Sequence, residues 1–299
     1  MLWERYIKDF VSYLKIEKGL AHNSIEAYQR DVRLLASYVE TQKIKPERVT
    51  YKLLTHFVAH LYDLGLSARS QARIISGIKQ FFGFLILERY IDTDPSVLLE
   101  QPRLGRKLPE VLELNEIDAL LDAIDLGTGE GQRNHAMLET LYSCGLRVSE
   151  LISMRFSDLY FDEGFVRVIG KGNKERLVPV SQRVITEVNA YISDSRTNIS
   201  IRKGQEHFIF LNRRGAKLTR VMIFTIIKQL AEKIGLKKQI SPHTFRHSFA
   251  THLIEGGANL RAVQEMLGHE SITTTEIYTH LDQRFLSKAI LTHHPRNKS

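Results

Sequence analysis

Along the first ninety positions, apolar residues recur at steps of three and four. Trp3, Tyr6, Ile7, Phe10 and Leu14 share one helical face, and Ile25, Tyr28, Val32, Leu35 and Val39 share another. Leu53, Leu54, Phe57, Val58 and Leu61 mark a third helix. A fourth begins near Ser67 and carries Ile74, Ile75, Ile78, Phe81, Phe82 and Leu85. Asn23 stands one helical turn before Glu26, which predicts a capped start for the second helix. Four amphipathic helices of this length predict a compact bundle over residues 1–91.

The periodicity stops at residues 92–110. Pro95, Pro102 and Pro109 are three of the chain's seven prolines, with Arg103, Arg106 and Lys107 among them. Proline removes a backbone donor and disfavours helix in the residue before it, so an extended linker and a domain boundary are expected here. Its basic residues suit either a phosphate backbone or ordinary solubility. Residues 111–299 form the second domain, which opens on a helix around Ile117, Leu120, Leu121 and Ile124. Phe165–Ile169 and Arg176–Val180 are β-rich runs flanking Gly170-Lys171-Gly172-Asn173-Lys174, a hairpin with a glycine-rich tip. The fold class expected is mainly α, with a small β-hairpin or sheet in the second of two domains.

Composition narrows the setting. A chain of 299 residues suits two domains, and a single cysteine, Cys144, excludes an internal disulfide framework and fits a reducing compartment. No apolar run reaches bilayer length, and the N-terminus lacks the order of a signal peptide. A cytoplasmic protein without a membrane part is expected. Lys plus Arg total 42 against 34 acids, a net charge of +8, with a pI near 9.4. That balance suits a polyanionic partner without demanding one. Residues 202–238 hold ten basic side chains, among them Arg202, Lys203, Arg213, Arg214, Lys217 and Arg220, against only Glu206 and Glu232.

Four segments hold the candidate chemistry: GLRVSEL with Arg147 and Glu150, GKGNKER with Lys171, SPHTFRHSFATHL with His243 and Arg246, and LGHESITTTEIYTH with His269 and Tyr278. Each alone has a bland reading. Arg147 and Glu150 could be a helical ion pair, Lys171 a solvated tip, His269 a cap and Tyr278 a packing residue. Together they supply what phosphoryl transfer requires. Arginine binds phosphate oxygens through a planar fork and stays charged. Tyrosine is a competent covalent nucleophile once its proton is removed, and histidine and lysine can move protons. A helix beginning near Pro242 would also favour an anion beside His243. His243 and His247 have the spacing of zinc ligands on a helix, but Thr244 stands where a metalloprotease helix carries its glutamate. His252, His293 and His294 supply no convincing third ligand, so no metal is assigned.

These segments, with KGLAHNSIEAYQRDV and DTDPS upstream and VIGKGNKERLVPV around the hairpin, run in this order over essentially the whole chain. They resemble the signature segments of the tyrosine recombinase (phage integrase) family, and within it the Xer branch, which resolves chromosome and plasmid dimers in bacteria. The resemblance implies an N-terminal helical DNA-binding domain and a C-terminal catalytic domain forming a C-shaped clamp around duplex DNA. It carries catalytic roles to Arg147, Lys171, His243, Arg246, His269 and Tyr278, with Glu150 supporting them. It implies cleavage through a 3′-phosphotyrosine, a Holliday junction, no cofactor and no metal. It also implies a homo- or hetero-tetramer with a second Xer-type recombinase, and nucleoid association with a role in chromosome partition at cell division. The family adds a septal DNA translocase as activator. The helix after Tyr278, with Phe285, Leu286, Ala289 and Ile290, is implied to dock on a neighbouring subunit, or else packs on its own domain. The alternatives are a phage or transposon integrase of the same family and a catalytically silent DNA-binding architectural protein. About a hundred residues precede the second domain, which leaves no room for an arm-site module of the integrase kind.

Overall fold

The computed structural model describes residues 3–105, 110–268 and 280–297. His269 and Tyr278, with Arg106, Lys107 and Pro109 of the linker, lie outside them, and of Lys171 only the backbone is described. The chain divides into two compact units, Met1–Lys107 and Leu108–Ser299.

The first unit carries α1 (Glu4–Ile16), α2 (His22–Val39), α3 (Tyr51–Asp63) and α4 (Ala68–Leu87). Their apolar faces meet as the periodicity predicts: Phe10, Leu14, Leu35, Phe57, Phe81 and Phe82 have no exposed surface. Each such side chain contributes about 1.5–3 kcal/mol by leaving water. Thr50 and Ser67 cap α3 and α4, their hydroxyls accepting from Leu53 and Ser70 N–H. The cap expected at Asn23 is not there. Helix α2 starts at His22 with extended Ala21 as its N-cap, two residues before the expected cap. Glu26 reaches back to His22 at 3.2 Å instead of to an Asn23 cap. The start of the linker is also less extended than its prolines suggest. Asp94 accepts from Ser96 N–H at 2.7 Å, Leu99 N–H donates to Ser96 O at 3.0 Å, and Leu99 is buried in this unit's core.

The second unit holds α5 (Leu114–Asp122), α6 (Gly129–Ser143), α7 (Val148–Ser153), β1 (Leu159–Tyr160), β2 (Phe165–Ile169), β3 (Glu175–Pro179), α8 (Gln182–Ser193), α9 (Arg220–Lys233), α10 (Pro242–Glu255), α11 (Leu260–Leu267) and α12 (His280–His293). Helix α6 is buried almost all round and packs against α8 and α10. The predicted hairpin is β2–β3, antiparallel, with Val168 opposite Arg176 and Ile169 opposite Glu175. A two-residue strand, β1, extends it to three strands, too short to show in the sequence pattern. In this single chain Leu286, Ala289 and Ile290 of α12 are buried in the unit's own core, and Arg296 beyond it lies 3.3 Å from Glu139 of α6. Cys144 is fully buried at the end of α6.

The turn after α6 is held by Gly145, at φ +57°. A Cβ there would lie 2.4 Å from the Phe249 ring of α10. Alanine at Gly145 would add left-handed strain to a clash in a close-packed core, an expected loss of about 2–4 kcal/mol. Urea denaturation should show this as a lower midpoint at an unchanged slope. An unchanged midpoint would mean that α10 tolerates displacement.

Candidate active site

The GLRVSEL segment folds as a turn into a short helix. Gly145 reverses the chain, Leu146 is buried, and Arg147 is the extended N-cap of α7. Glu150, three residues on, accepts from Arg147 N–H and from Arg147 Nη1, both at 2.8 Å. The ion pair that the spacing allows is therefore present, and it is made by two of the candidate site residues.

Glu150 is buried, and two further arginines converge on it. Arg176 of β3 donates from Nη1 and Nη2 to the two carboxylate oxygens at 2.9 and 2.8 Å. Arg246 of α10 places Nη1 3.9 Å away. Burial would raise the Glu150 carboxyl, but the hydrogen bonds and charge of Arg176 and Arg147 outweigh it and hold the group below the ordinary carboxylate range. Burial, with the charge of Arg147, pushes Arg246 down to about 10, still protonated near neutrality. Three guanidinium cations thus face one carboxylate, leaving the cluster with an excess of positive charge.

The same arginines close the end of α11. Arg176 Nε donates to Met266 O at 2.7 Å, Arg246 Nη2 donates to Leu267 O, and Arg147 Nη2 donates to Gly268 O at 3.3 Å. Helix C-termini leave carbonyls without intrahelical partners and carry partial negative charge, so successive cations here satisfy both needs. Gly268 then turns the chain at φ +65° into His269. Arg246 Nη1 also donates to Gly145 O at 2.8 Å, tying α10 to the turn before Arg147.

The structure accordingly brings Arg147, Glu150 and Arg246 together. It places the backbone of Lys171 in a turn, Lys171–Asn173, at the tip of β2–β3. His243 is exposed in the first turn of α10, whose N-cap Ser241 and Thr244 make a reciprocal box. His247 is exposed too, and among the described residues no group of three or more His, Cys, Asp or Glu is placed to hold a metal ion. Arg176 escaped the sequence reading. Its position in the GKGNKER segment resembled a strand residue on a solvated hairpin, and its partners lie far along the chain. The remaining signal was an arginine opposite Val168, on the strand face shared with Val166 and Val178, where a charge needs a partner.

Comparison with known proteins identifies the family of the chain. Residues 110–284 match the phage integrase family, and residues 7–89 match the phage integrase N-terminal SAM-like domain. A tyrosine recombinase XerD of Staphylococcus epidermidis is 44% identical over 291 residues, covering 97% of this chain and 98% of the relative. Its counterpart in Staphylococcus saprophyticus is 45% identical with the same coverage. Among solved structures, the XerA recombinase is 27% identical with a TM-score of 0.50, covering 97% of this chain and 98% of that one. The Tn1549 transposon integrase, solved with circular intermediate DNA, shares the fold at a TM-score of 0.71 and 22% identity, covering 93% and 97%. The chain belongs to the phage integrase family, as a tyrosine recombinase of the Xer type.

Proposed function

We propose that the Tyr278 phenolic oxygen attacks a scissile phosphodiester in duplex DNA. One phosphorus–oxygen bond forms as the bond to the 5′ oxygen breaks, giving a 3′-phosphotyrosine and a free 5′-hydroxyl. His243 takes the phenolic proton and later returns one. Lys171 protonates the leaving 5′ oxygen, and His269 stabilises the transition state. Arg147 and Arg246 hold the non-bridging oxygens, where charge grows during attack. The 5′-hydroxyl of a partner strand then attacks the phosphotyrosine and releases the phenol. One phosphoester replaces another, so the step needs no external energy source. As a tyrosine recombinase, the chain is a DNA strand-cleaving and rejoining enzyme.

The observation that carries this assignment is the convergence of guanidinium groups on Glu150 and on the three carbonyls that lead to His269. Arg147 keeps a third of its side chain exposed, available to an incoming phosphate, while Glu150 is almost wholly covered. His243 stands in the first turn of α10, where the positive end of the helix dipole favours an anion. The exposed Arg202, Lys203, Arg213, Arg214, Lys217 and Arg220 are suited to the flanking phosphates.

Four such protomers, alone or with a second Xer-type recombinase, would exchange one strand pair at a time through a Holliday junction, with α12 passing to a neighbour. Resolution of chromosome or plasmid dimers before cell division, in the cytoplasm at the nucleoid, is the role that fits relatives named XerD. A septal DNA translocase would be the activator. A transposon or phage integrase role is not favoured, since the Tn1549 integrase stands at 22% identity against 44% for the XerD relatives. No described helix is long and apolar enough to cross a membrane.

A DNA nicked beside the cleavage position traps the covalent intermediate. Incubated with the protein in EDTA, it should yield an adduct that survives denaturation. No adduct on a DNA that is bound, even with partner and activator supplied, would leave an architectural DNA-binding protein. Affinity should fall steeply with salt, by about 10³-fold or more between 50 and 200 mM, if several phosphates are neutralised. A flat response in a filter-binding titration would exclude backbone contacts as the main source of affinity.

A further inference from the structure

Arg176 is the most buried arginine around Glu150, and no step of the reaction uses it. Its side chain is 6% exposed, against 33% for Arg147 and 11% for Arg246. A phosphate arriving from solvent meets Arg147 first. What Arg176 touches is the frame of the site. From β3 it binds both Glu150 oxygens on α7 and the Met266 carbonyl on α11. Three donors of one rigid plane thus join three elements.

Gly268 brings the backbone close against this group, and Gly170 lies beside it. A Cβ at Gly268 would lie 3.2 Å from Arg176 Cδ and 3.3 Å from Nη1. One at Gly170 would lie 3.5 Å from Arg176 Nη1 and 3.6 Å from Glu150 Oε1. The residue before Lys171 and the residue before His269 therefore rest on the same guanidinium–carboxylate pair. The hairpin tip itself has little else to lean on: Gly172, Asn173, Lys174 and Glu175 are exposed, and Gly170 N–H donates across the tip to Lys174 O at 2.8 Å.

We propose that Arg176 is a positioning residue, clamped on Glu150 and on the end of α11, that fixes the backbone carrying Lys171 and the turn leading to His269 relative to Arg147 and Arg246. The proposal rests on Lys171 as the acid that protonates the leaving 5′ oxygen. Proton transfer requires hydrogen-bond reach, and a misplacement of about 1 Å costs about 10²-fold in rate. Lysine keeps the charge of arginine but not its fork, so it cannot bind both Glu150 oxygens and Met266 O together.

The test compares two nicked substrates of one sequence. One carries the ordinary 5′-bridging oxygen, the other a 5′-bridging sulfur whose thiolate leaves without a proton donor. Arg176→Lys should cleave the oxygen substrate about 10²-fold slower than wild type and the sulfur substrate close to the wild-type rate, with DNA binding retained. Lys171→Ala, run in parallel, should be restored by sulfur as well. If sulfur restores Lys171→Ala but leaves Arg176→Lys equally slow, Arg176 does not position the acid and the proposal is overturned, while the role of Lys171 stands. If sulfur restores neither, Lys171 is not the acid and the proposal falls with it. Should Arg176→Lys fail to fold, Arg176→Gln takes its place in the same comparison. Failure of both to fold would make Arg176 a core residue and overturn the proposal too.

Discussion

Tyr278→Phe should form no covalent adduct with a nicked substrate, a loss of at least about 10⁴-fold in cleavage, because the attacking oxygen is gone and nothing replaces it. Affinity for the same DNA should change little, since one hydroxyl is worth about 1 kcal/mol. Gel electrophoresis under denaturing conditions reads the adduct, and a mobility shift under native conditions reads the binding. The two results belong together: loss of both would point to a folding defect, and survival of the adduct would move the nucleophile to another residue. The expectation comes from the motif order around Tyr278, and Arg147 and Arg246, gathered around Glu150, are the groups proposed to hold the phosphate.

Arg246→Ala should slow cleavage by about 10³-fold or more, the scale associated with removing a guanidinium from a developing phosphoryl charge. From its motif alone this substitution reads as a loss of chemistry with little change in fold. The structure adds a second cost. Arg246 is buried and donates to Gly145 O and Leu267 O, so alanine removes both hydrogen bonds and a cation near buried Glu150. About 2–4 kcal/mol of stability should go with it. Single-turnover rates measured at a temperature where both proteins are folded separate the two effects. A variant that is destabilised yet cleaves within tenfold of wild type would reduce Arg246 to a structural role.

Much of this molecule is legible from its residues because the governing rules are local. The phases of Ile25, Val32, Leu35 and Val39, or of Ile74, Ile78, Phe81 and Leu85, encode helix faces directly, and those faces are the core of the first unit. Arg147 and Glu150 are legible for the same reason, one turn apart at a helix start. What the pattern misses depends on distance along the chain or on competition. Arg176 meets Glu150 and Met266 only after the hairpin has folded back, so no spacing rule reaches it. Asn23 has the residue type of a cap, but His22 offers Glu26 a partner one turn away and the helix starts earlier. The two-residue β1 is held by its pairing with β2, not by any periodicity of its own.

The burial of Cys144 has a practical consequence. It is the chain's single cysteine, it has no exposed surface, and burial pushes its thiol well above the ordinary range, so little reactive thiolate forms. A maleimide dye should leave the folded native protein unlabelled, with its intact mass unchanged. A cysteine introduced at exposed Lys203, or at exposed Lys52 in the first unit, would then be the sole labelling site without any need to engineer the native one away. A donor and acceptor at those two positions would report, by energy transfer, how the spacing of the two units responds when DNA is added.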